Sequence, residues 1–317
     1  MLVFHTLHDT SYTLYVFYCI LNPMKQTKGK INWLDFNNPS ELEIRKLQKD
    51  YKLHDVIAKE LNEPSARARV EILDGYLYLI YYFPSYNIKE QTSKRSEIDF
   101  IITKNTVITV HYDKIEPLSD IKNNESLSAN NSFELTYKII SELLIFQDRQ
   151  LRHIREKVEE IGDILFKNKE RKALEEISRI KRDISEYRII ARHQNHLLTS
   201  FTHQSKRFFG QIDEVYAEDL IGDHLKIINQ LEDYRLAIAD FEDTNNQMMN
   251  IKINESMKTF TILSFLTFPF VLFVAIVDLG FNSNPFHSIP GMFWVVVGLV
   301  LIGMYILYQY FKNKRWL

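Results

Sequence analysis

The residues that could do chemistry in this sequence fall into three groups: an acidic run, a set of histidines and a short polar turn. The acidic run lies in a helical stretch and consists of Glu218, Asp219, Asp223, Glu232, Asp233, Asp240, Glu242 and Asp243. Carboxylate oxygens are the ligands that hard divalent cations prefer, although a charge run on a helix is most often a solvated face. Nothing in the sequence resembles a nucleophile with its base, a phosphate-binding glycine loop or a CxxC zinc site. We therefore do not expect an enzyme.

The histidines are His193, His196 and His203. The spacing of three between the first two suits one face of a helix, which is a pattern that metal sites use. Three ligands on a single exposed helix are usually coincidental, however, so we predict no metal site there.

The polar turn, VAIVDLGFNSNPF at residues 274–286, joins two long apolar runs and is almost uncharged. Its polar side chains include one acid, Asp278, and the amide of Asn282. This is too little chemistry for catalysis, so the role of the turn must follow from the two runs that it joins.

Both runs are long enough to cross a membrane. Thr259 to Val277 is 19 residues without a charge, and Ser288 to Phe311 is 24, whereas about 20 helical residues span the hydrocarbon core of a bilayer. The alternative is a pair of buried helices in a soluble protein, but two such runs ten residues apart are hard to hide in a core. We predict spans at about 259–277 and 290–311.

Basic residues give the orientation of these spans. Lys252 and Lys258 precede the first span, three basic residues follow the second within 312–315, and the loop 278–287 has no Lys or Arg. Because cytoplasmic flanks carry the excess of basic residues, we predict that both termini are cytoplasmic and that the loop faces outside.

The first 130 residues read as a cytoplasmic α/β domain. Segments 76–83 and 98–111 are rich in β-branched and aromatic residues, and the apolar segment 12–21 reads as a further strand and not as a signal peptide. Segments 39–53 and 55–61 have helical spacing, and Ser40 followed by Glu43 resembles a capping box.

Residues 131–258 read as a helical stalk, since they contain no proline and their apolar residues recur every three or four positions. Breaks are predicted near 166–170 and 208–213, after which the last helix runs into the first span without a breaker. About 65 residues make a rod of roughly 95 Å, which needs neighbours along its length. A bundle and an oligomer are therefore expected.

Charge and cysteine content exclude two further classes. The net charge of −2 provides no basic face for nucleic acid. A single cysteine, Cys19, cannot form an internal disulfide, so the bulk of the protein is expected in a reducing compartment.

Over nearly its whole length the chain resembles the CorA family of divalent-cation channels. The similar segments, in order, are INWLDFNNPSELEIRKL (31–47), SEIDFIITKNTVITVH (96–111), AEDLIGDHL (217–225), NESMKTFTILSFLTFPF (254–270) and KNKRWL (312–317). The resemblance implies a CorA-like membrane protein of the α+β class, with an N-terminal cytoplasmic α/β domain, a long helical stalk and two C-terminal transmembrane helices. It also implies a homopentamer.

The resemblance places the outer mouth of the pore, and its selectivity filter, at Gly280, Phe281 and Asn282, where the family has Gly-Met-Asn. Five Asn282 side chains or neighbouring carbonyls would accept hydrogen bonds from the waters of a hydrated Mg²⁺, which sheds water reluctantly. An ungapped register puts Asp278, Leu279 and Gly280 at that place instead, so a ring of Asp278 carboxylates stays open as the alternative. The remaining possibility is an ordinary turn between two helices.

Below the mouth, residues at spacings of three or four lie on one face of the first span, and the resemblance implies that this face lines the pore. By resemblance, Asn254 forms a polar ring at the cytoplasmic end, and Met257, Phe260 and Phe268 form a hydrophobic constriction that gates by dewetting. Thr261 and Ser264 lie on the same face. The alternative is that this stripe only packs against a neighbouring helix.

The resemblance also implies regulatory Mg²⁺ bound between carboxylates of adjacent subunits, with Asp219 as the best match and Asp223 next. The expected function is influx of Mg²⁺, with Co²⁺ or Ni²⁺ as further cargo, across the plasma membrane and gated by cytoplasmic Mg²⁺. The expected partners are further copies of the chain, the lipid bilayer and divalent cations. The alternatives are a Zn²⁺ transporter of the same fold and a non-conducting regulatory membrane protein.

Overall fold

The computed structural model describes residues 24–26, 31–123, 129–167, 169–278 and 291–314. The chain divides into two compact units, Met1–Phe241 and Glu242–Leu317. The strand predicted at 12–21 lies outside the described residues.

The first unit is built on a six-stranded mixed sheet. Its strands are β1 (Met24–Gln26), β2 (Asn32–Asn37), β3 (Arg69–Leu73), β4 (Tyr76–Asn87), β5 (Thr92–Ile102) and β6 (Thr106–His111). Their order in the sheet is β1-β2-β6-β5-β4-β3, and β2 and β6 run parallel while the other neighbours are antiparallel. The central strands are buried on both faces, which explains why they read in the sequence as continuous apolar and aromatic runs.

Eight helices are described: α1 (Glu41–Tyr51), α2 (Asp55–Glu60), α3 (Glu116–Asn123), α4 (Ser132–Phe166), α5 (Glu170–Ala191), α6 (Gln194–Phe209), α7 (Glu214–Asp278) and α8 (Met292–Asn313). The capping box predicted at the start of α1 is present: Glu43 N–H donates to Ser40 Oγ, and Ser40 N–H donates to Glu43 Oε2 at 2.8 Å. Each bond satisfies a backbone donor that the first turn of a helix leaves free.

Helices cover both faces of the sheet. Ile44 and Leu47 of α1 and Ile57 of α2 pack in one core cluster with Tyr78, Ile108 and other side chains of one face. On the other face, Phe83 of β4 meets Phe146 of α4 edge-on at a ring distance of 6.4 Å. Helices α5 and α6 complete that layer. The first unit thus contains the α/β domain that the sequence predicts, with a buried sheet between two helical layers.

A buried chain of hydrogen bonds joins the two parallel strands. Trp33 Nε1 donates to Thr109 Oγ1 at 3.0 Å, and the Thr109 hydroxyl donates to Asp35 Oδ1. The other Asp35 oxygen lies 3.3 Å from His111 Nε2. Strand pairing sets Asp35 directly opposite Thr109. The segment from Trp33 to Asp35 on β2 and the segment from Thr109 to His111 on β6 therefore form one structural network, because the buried polar groups of each strand are satisfied by the other.

The second unit consists of the end of α7, from Glu242, and α8. Apart from Thr261, the less exposed residues at 259–275 of α7 are Ile262, Leu266, Pro269 and Phe273, and along α8 the less exposed residues include Val297, Val300, Met304, Leu307 and Phe311. Spacings of four and three mark one packed seam on each helix, and the rings of Phe265 and Phe311 lie 5.9 Å apart. Outside the seams, most of the apolar side chains described here are exposed.

Candidate pore and metal sites

The side chains predicted to line the pore lie together on one surface of α7. Asn254, Met257, Phe260, Ser264 and Phe268 are exposed and Thr261 is partly exposed. At 100° per residue they occupy an arc of about 120°. The seam that begins at Ile262 is centred on the opposite side of the helix. Within one chain the stripe is thus mostly exposed, and both the pore lining and its alternative, packing against a neighbouring helix, stay predictions.

The hydroxyl groups of this stretch are fixed by the helix itself. Thr261 Oγ1 donates to the carbonyl of Met257 at 2.8 Å, and Thr267 Oγ1 donates to the carbonyl of Leu263 at 2.9 Å. A hydroxyl that gives its proton to the backbone keeps its oxygen lone pairs for other donors. On the stripe, Thr261 therefore presents a hydrogen-bond acceptor. The water molecules around a hydrated cation need acceptors of this kind on the wall of a pore.

Pro269 lies inside the helix and has no N–H to give to the carbonyl four residues earlier. It belongs to the seam side and not to the exposed stripe.

Among the residues that the structure describes, one helix is long and apolar enough to cross a membrane, namely α7 over Glu214–Ala275. Only 6% of its most apolar stretch is buried, unlike the core helix of a soluble protein.

The predicted filter, Gly280, Phe281 and Asn282, lies outside the described residues. Helix α7 ends at Asp278, which is described by its backbone alone. Both registers of the mouth therefore stay predictions.

The predicted regulatory acids lie near the start of α7, beside α4. Tyr137 of α4 donates its hydroxyl to Asp219 Oδ2 at 2.7 Å, and its ring stacks on that of Tyr216 at 4.4 Å. Burial and the bond to Asp219 raise the pKa of Tyr137 to about 12, so its proton stays in place at neutral pH. Asp219 is thereby held at the exposed surface in one orientation.

Asp223 lies one turn further along α7. Its pKa is raised by partial burial and by the charge of Asp219, and Asp148 of α4 acts in the same direction. Lys226 Nζ, 3.7 Å from Asp148, offsets part of this repulsion. Sequence reasoning missed Asp148, which is far from both acids along the chain. The three carboxylates together form a negative surface that would gain from a bound cation.

One chain does not complete a metal site. In the ranges that the structure describes, no three His, Cys, Asp or Glu side chains lie close enough together to hold a metal ion. Neither Asp219, Asp223 and Asp148 nor the three histidines of 193–203 form such a group. Of these histidines, His193 precedes α6 and the other two lie within it.

A further histidine, His224, follows the predicted acids and was not singled out from the sequence. It is 1% exposed, on the face of α7 that carries the buried residues Ala217, Leu220 and Ile227. Burial lowers its pKa to about 4, so it is neutral at physiological pH and belongs to the core of the bundle.

Comparison with known proteins agrees with this architecture. The Cobalt/magnesium transport protein CorA of Methanocaldococcus jannaschii is 22% identical over 294 residues, covering 91% of this chain and 92% of that protein. The protein of the same name from Thermotoga maritima is 19% identical, covering 86% of this chain and 80% of that protein. The complete structure of the M. jannaschii CorA magnesium transporter superposes with a TM-score of 0.78, at 22% identity, covering 91% and 92% of the two chains.

These likenesses confirm the fold that the resemblance implied, from the sheet domain through the long helix. The model of the family described as CorA-like Mg²⁺ transporter protein matches residues 28–314. The chain therefore belongs to the CorA-like Mg²⁺ transporter family, a family of ion transporters and not of enzymes.

Proposed function

We propose that the protein is a homopentameric channel that admits Mg²⁺ across the plasma membrane, driven by the membrane potential and closed by cytoplasmic Mg²⁺. Family membership supports divalent cations as the cargo, and relatives named as cobalt/magnesium transport proteins support Co²⁺ as a second ion. The observation that carries the proposal is the exposed stripe on α7, opposite the seam toward α8.

Two helices cannot bury each other's apolar surface, and this favours assembly around the stripe. Lipid satisfies exposed apolar side chains such as Phe270 and Val274, but it does not suit the hydroxyl groups of Thr261 and Ser264, which membrane proteins direct toward water or other helices. Copies of α7 arranged around an axis turn these groups toward a shared aqueous path. The same proposal includes the predicted domain boundaries at residues 130 and 258, the second span at 290–311 and the cytoplasmic placement of both termini.

Within the pore, the stripe supplies two kinds of ring. Asn254, Thr261 and Ser264 offer oxygen acceptors to the waters of a hydrated cation. Met257, Phe260 and Phe268 supply apolar rings, which exclude water and ions when the pore is narrow. A change in the tilt of α7 widens or narrows the apolar rings, so the helix can gate without unfolding.

At the outer mouth, Asn282 accepts hydrogen bonds from the waters of the ion, and Gly280 gives the turn its backbone freedom. Asp278 is the alternative if the ungapped register holds. A carboxylate ring attracts divalent ions more strongly and selects among them less well, because it binds by charge.

The experiment that tests conduction is ion influx into proteoliposomes at a fixed inside-negative potential, with Mg²⁺, Co²⁺ and Zn²⁺ compared. We expect Mg²⁺ entry that depends on the potential. Zn²⁺ entry alone would favour the zinc transporter of the same fold. Absence of flux for every ion, from assembled oligomers, would leave the non-conducting regulatory protein. Cross-linking in the membrane should stop at five copies, and another number would contradict the pentamer.

The matched variants for the mouth are Asn282→Ala, Asp278→Asn and, as a control in the same loop, Asn284→Ala. The proposal expects the first to abolish Mg²⁺ influx and the control to leave it unchanged. Loss of influx in Asp278→Asn, with normal flux in Asn282→Ala, would move the filter to the alternative register.

For regulation, we propose that Mg²⁺ joins Asp219 and Asp223 of one subunit to a carboxylate of the next and so holds the closed state. The charges of Asp219 and Asp148, which raise the pKa of Asp223, support this, since such a negative surface gains from a cation that a further carboxylate helps to hold. Asp219→Asn should raise the internal Mg²⁺ concentration that closes the channel. Glu218→Gln, its exposed neighbour, is the control, and an unchanged response in Asp219→Asn would refute the site.

A further inference from the structure

Two tyrosines form a stacked pair near the start of the long helix. The rings of Tyr137 on α4 and Tyr216 on α7 have their centres 4.4 Å apart and an interplanar angle of 20°. Stacked aromatic rings attract each other beyond the effect of the area that they bury. The stack therefore holds the Tyr137 ring in one position against α7.

The hydroxyl of Tyr137 meets an acid on the same side of α7. Asp219 comes three residues after Tyr216, so both side chains lie on one face of the helix. Tyr137 Oη donates to Asp219 Oδ2 at 2.7 Å. Among the residues that the structure describes, the other oxygen of Asp219, Oδ1, has no hydrogen-bond partner, and Asp219 forms no ion pair. One oxygen of this carboxylate is thus occupied, and the other is free.

The donor to Asp219 is neutral, and this preserves the charge of the acid. A lysine or arginine at the same place would offset that charge, whereas a phenol fixes the carboxylate and leaves its charge available to a cation. Asp219 is exposed, and an exposed side chain without such a bond exchanges between staggered rotamers. Tyr137 therefore determines which oxygen of Asp219 is presented.

The occupied oxygen restricts how a metal ion can bind. Ca²⁺ takes more oxygen ligands than Mg²⁺ and often binds both oxygens of one carboxylate, whereas Mg²⁺ requires a near-ideal octahedron and keeps several of its waters. The hydrogen bond from Tyr137 uses a lone pair of Asp219 Oδ2 and puts the phenol beside that oxygen. A metal ion is then offered Oδ1 alone. This contact suits Mg²⁺ and lacks the second oxygen that Ca²⁺ gains from a bidentate carboxylate.

We propose that Tyr137 makes the regulatory site at Asp219 prefer Mg²⁺ to Ca²⁺, by occupying one oxygen of the carboxylate and leaving the other for a single metal contact. This inference rests on the proposed regulatory site and adds a determinant of its specificity that is not itself a metal ligand. Tyr137 is a positioning residue, since it acts on the metal only through Asp219.

The test is thermal unfolding of the full-length protein in detergent, freed of metal with EDTA, dialysed, and then titrated with Mg²⁺ or with Ca²⁺. A metal that binds the folded state raises the unfolding temperature. For each variant, the Ca²⁺ concentration that gives half of the full rise is divided by the Mg²⁺ concentration that does so. This ratio compares each variant with itself, so a loss of stability common to both titrations does not change it.

The variant Tyr137→Phe keeps the stacked ring and removes only the hydroxyl. We expect its ratio of Ca²⁺ to Mg²⁺ concentrations to fall about fivefold or more, the effect of losing one hydrogen bond that favours one of the two metals. Tyr216→Phe is the matched control, because it removes the other hydroxyl of the stacked pair and leaves the bond to Asp219 in place. Its ratio should equal that of the wild type.

The variant Asp219→Asn separates this inference from the proposed site on which it rests. If Asp219→Asn weakens stabilisation by both metals but the ratio in Tyr137→Phe is unchanged, the role of Tyr137 is overturned and the regulatory site stands. An equal fall of the ratio in Tyr216→Phe would also overturn it, because the effect would then belong to the stack. Stabilisation of Asp219→Asn equal to that of the wild type would overturn both the site and the role of Tyr137.

Discussion

His224 leads to a prediction whose size can be worked out from its surroundings. The imidazole is 1% exposed, and its Nδ1 has no hydrogen-bond partner among the described residues. Burial lowers its pKa from 6.5 to about 4 in the folded protein. In the unfolded chain the ring is hydrated and keeps its ordinary pKa.

The sign of the effect follows from which state takes up the proton. At pH 7.5 the ring is neutral in both states, so it adds no dependence on pH. Below pH 6.5 His224 is protonated in the unfolded chain but stays neutral in the folded protein. The free energy of unfolding therefore falls with decreasing pH until about pH 4, where the folded state takes up the proton as well. At about 1.4 kcal/mol for each unit of pKa shift, the loss contributed by His224 amounts to about 3 kcal/mol.

The variant His224→Leu removes the titrating ring and keeps an apolar side chain on the same face of α7. Urea unfolding of the full-length protein in detergent, followed by circular dichroism between pH 7.5 and 4.5, measures the stability of each form. We expect the wild type to lose about 2–3 kcal/mol more than the variant over this range. His203→Gln is the control, since His203 is exposed, and it should follow the wild type. Parallel pH profiles for wild type and His224→Leu would refute the assignment of a buried neutral imidazole.

Three further predictions concern other groups. Asp35→Ala removes the acceptor of Thr109 and the partner of His111, so the free energy of unfolding should fall by about 2–4 kcal/mol, measured by urea titration; a loss below about 1 kcal/mol would contradict the network. Burial and the neighbouring Glu97 raise the pKa of Asp99, so its surroundings disfavour a charge there, and Asp99→Asn should change stability by less than about 1 kcal/mol; a larger loss in the same titration would contradict this. Thr261→Val should slow Mg²⁺ influx into liposomes at least about fivefold, the effect of losing roughly 1 kcal/mol of hydrogen bonding, and an unchanged rate would remove Thr261 from the pore wall.

Much of the fold could be predicted because its signals are local. The capping box at Ser40 and Glu43, the breaks after Phe166 and Phe209 and the uninterrupted α7 all depend on residues close together in the chain. The break between α5 and α6 was missed, because residues 192–193 contain neither glycine nor proline and the apolar spacing continues on both sides. There the packing of the two helices on the sheet decides the conformation, against the local preference.

The sites divide in the same way. That the predicted pore residues share one face of α7 follows from their spacing along one helix, so this much could be predicted from the sequence. Asp148 and Tyr137 could not, since they reach the start of α7 only through the packing of α4 against it.

The parallel pairing of β2 with β6 determines how far synthesis of the chain must proceed before the sheet can form. β2 has no partner on that side until His111 has been made, yet about 150 residues still separate His111 from the first residue of the predicted span, Thr259. At roughly 5–20 residues per second, the ribosome needs about 8–30 s to cover that distance. Mixed sheet domains fold within milliseconds to seconds. We therefore expect the sheet to close while the apolar part of α7 is still unmade, so that the strand edges are already paired when the membrane segments emerge.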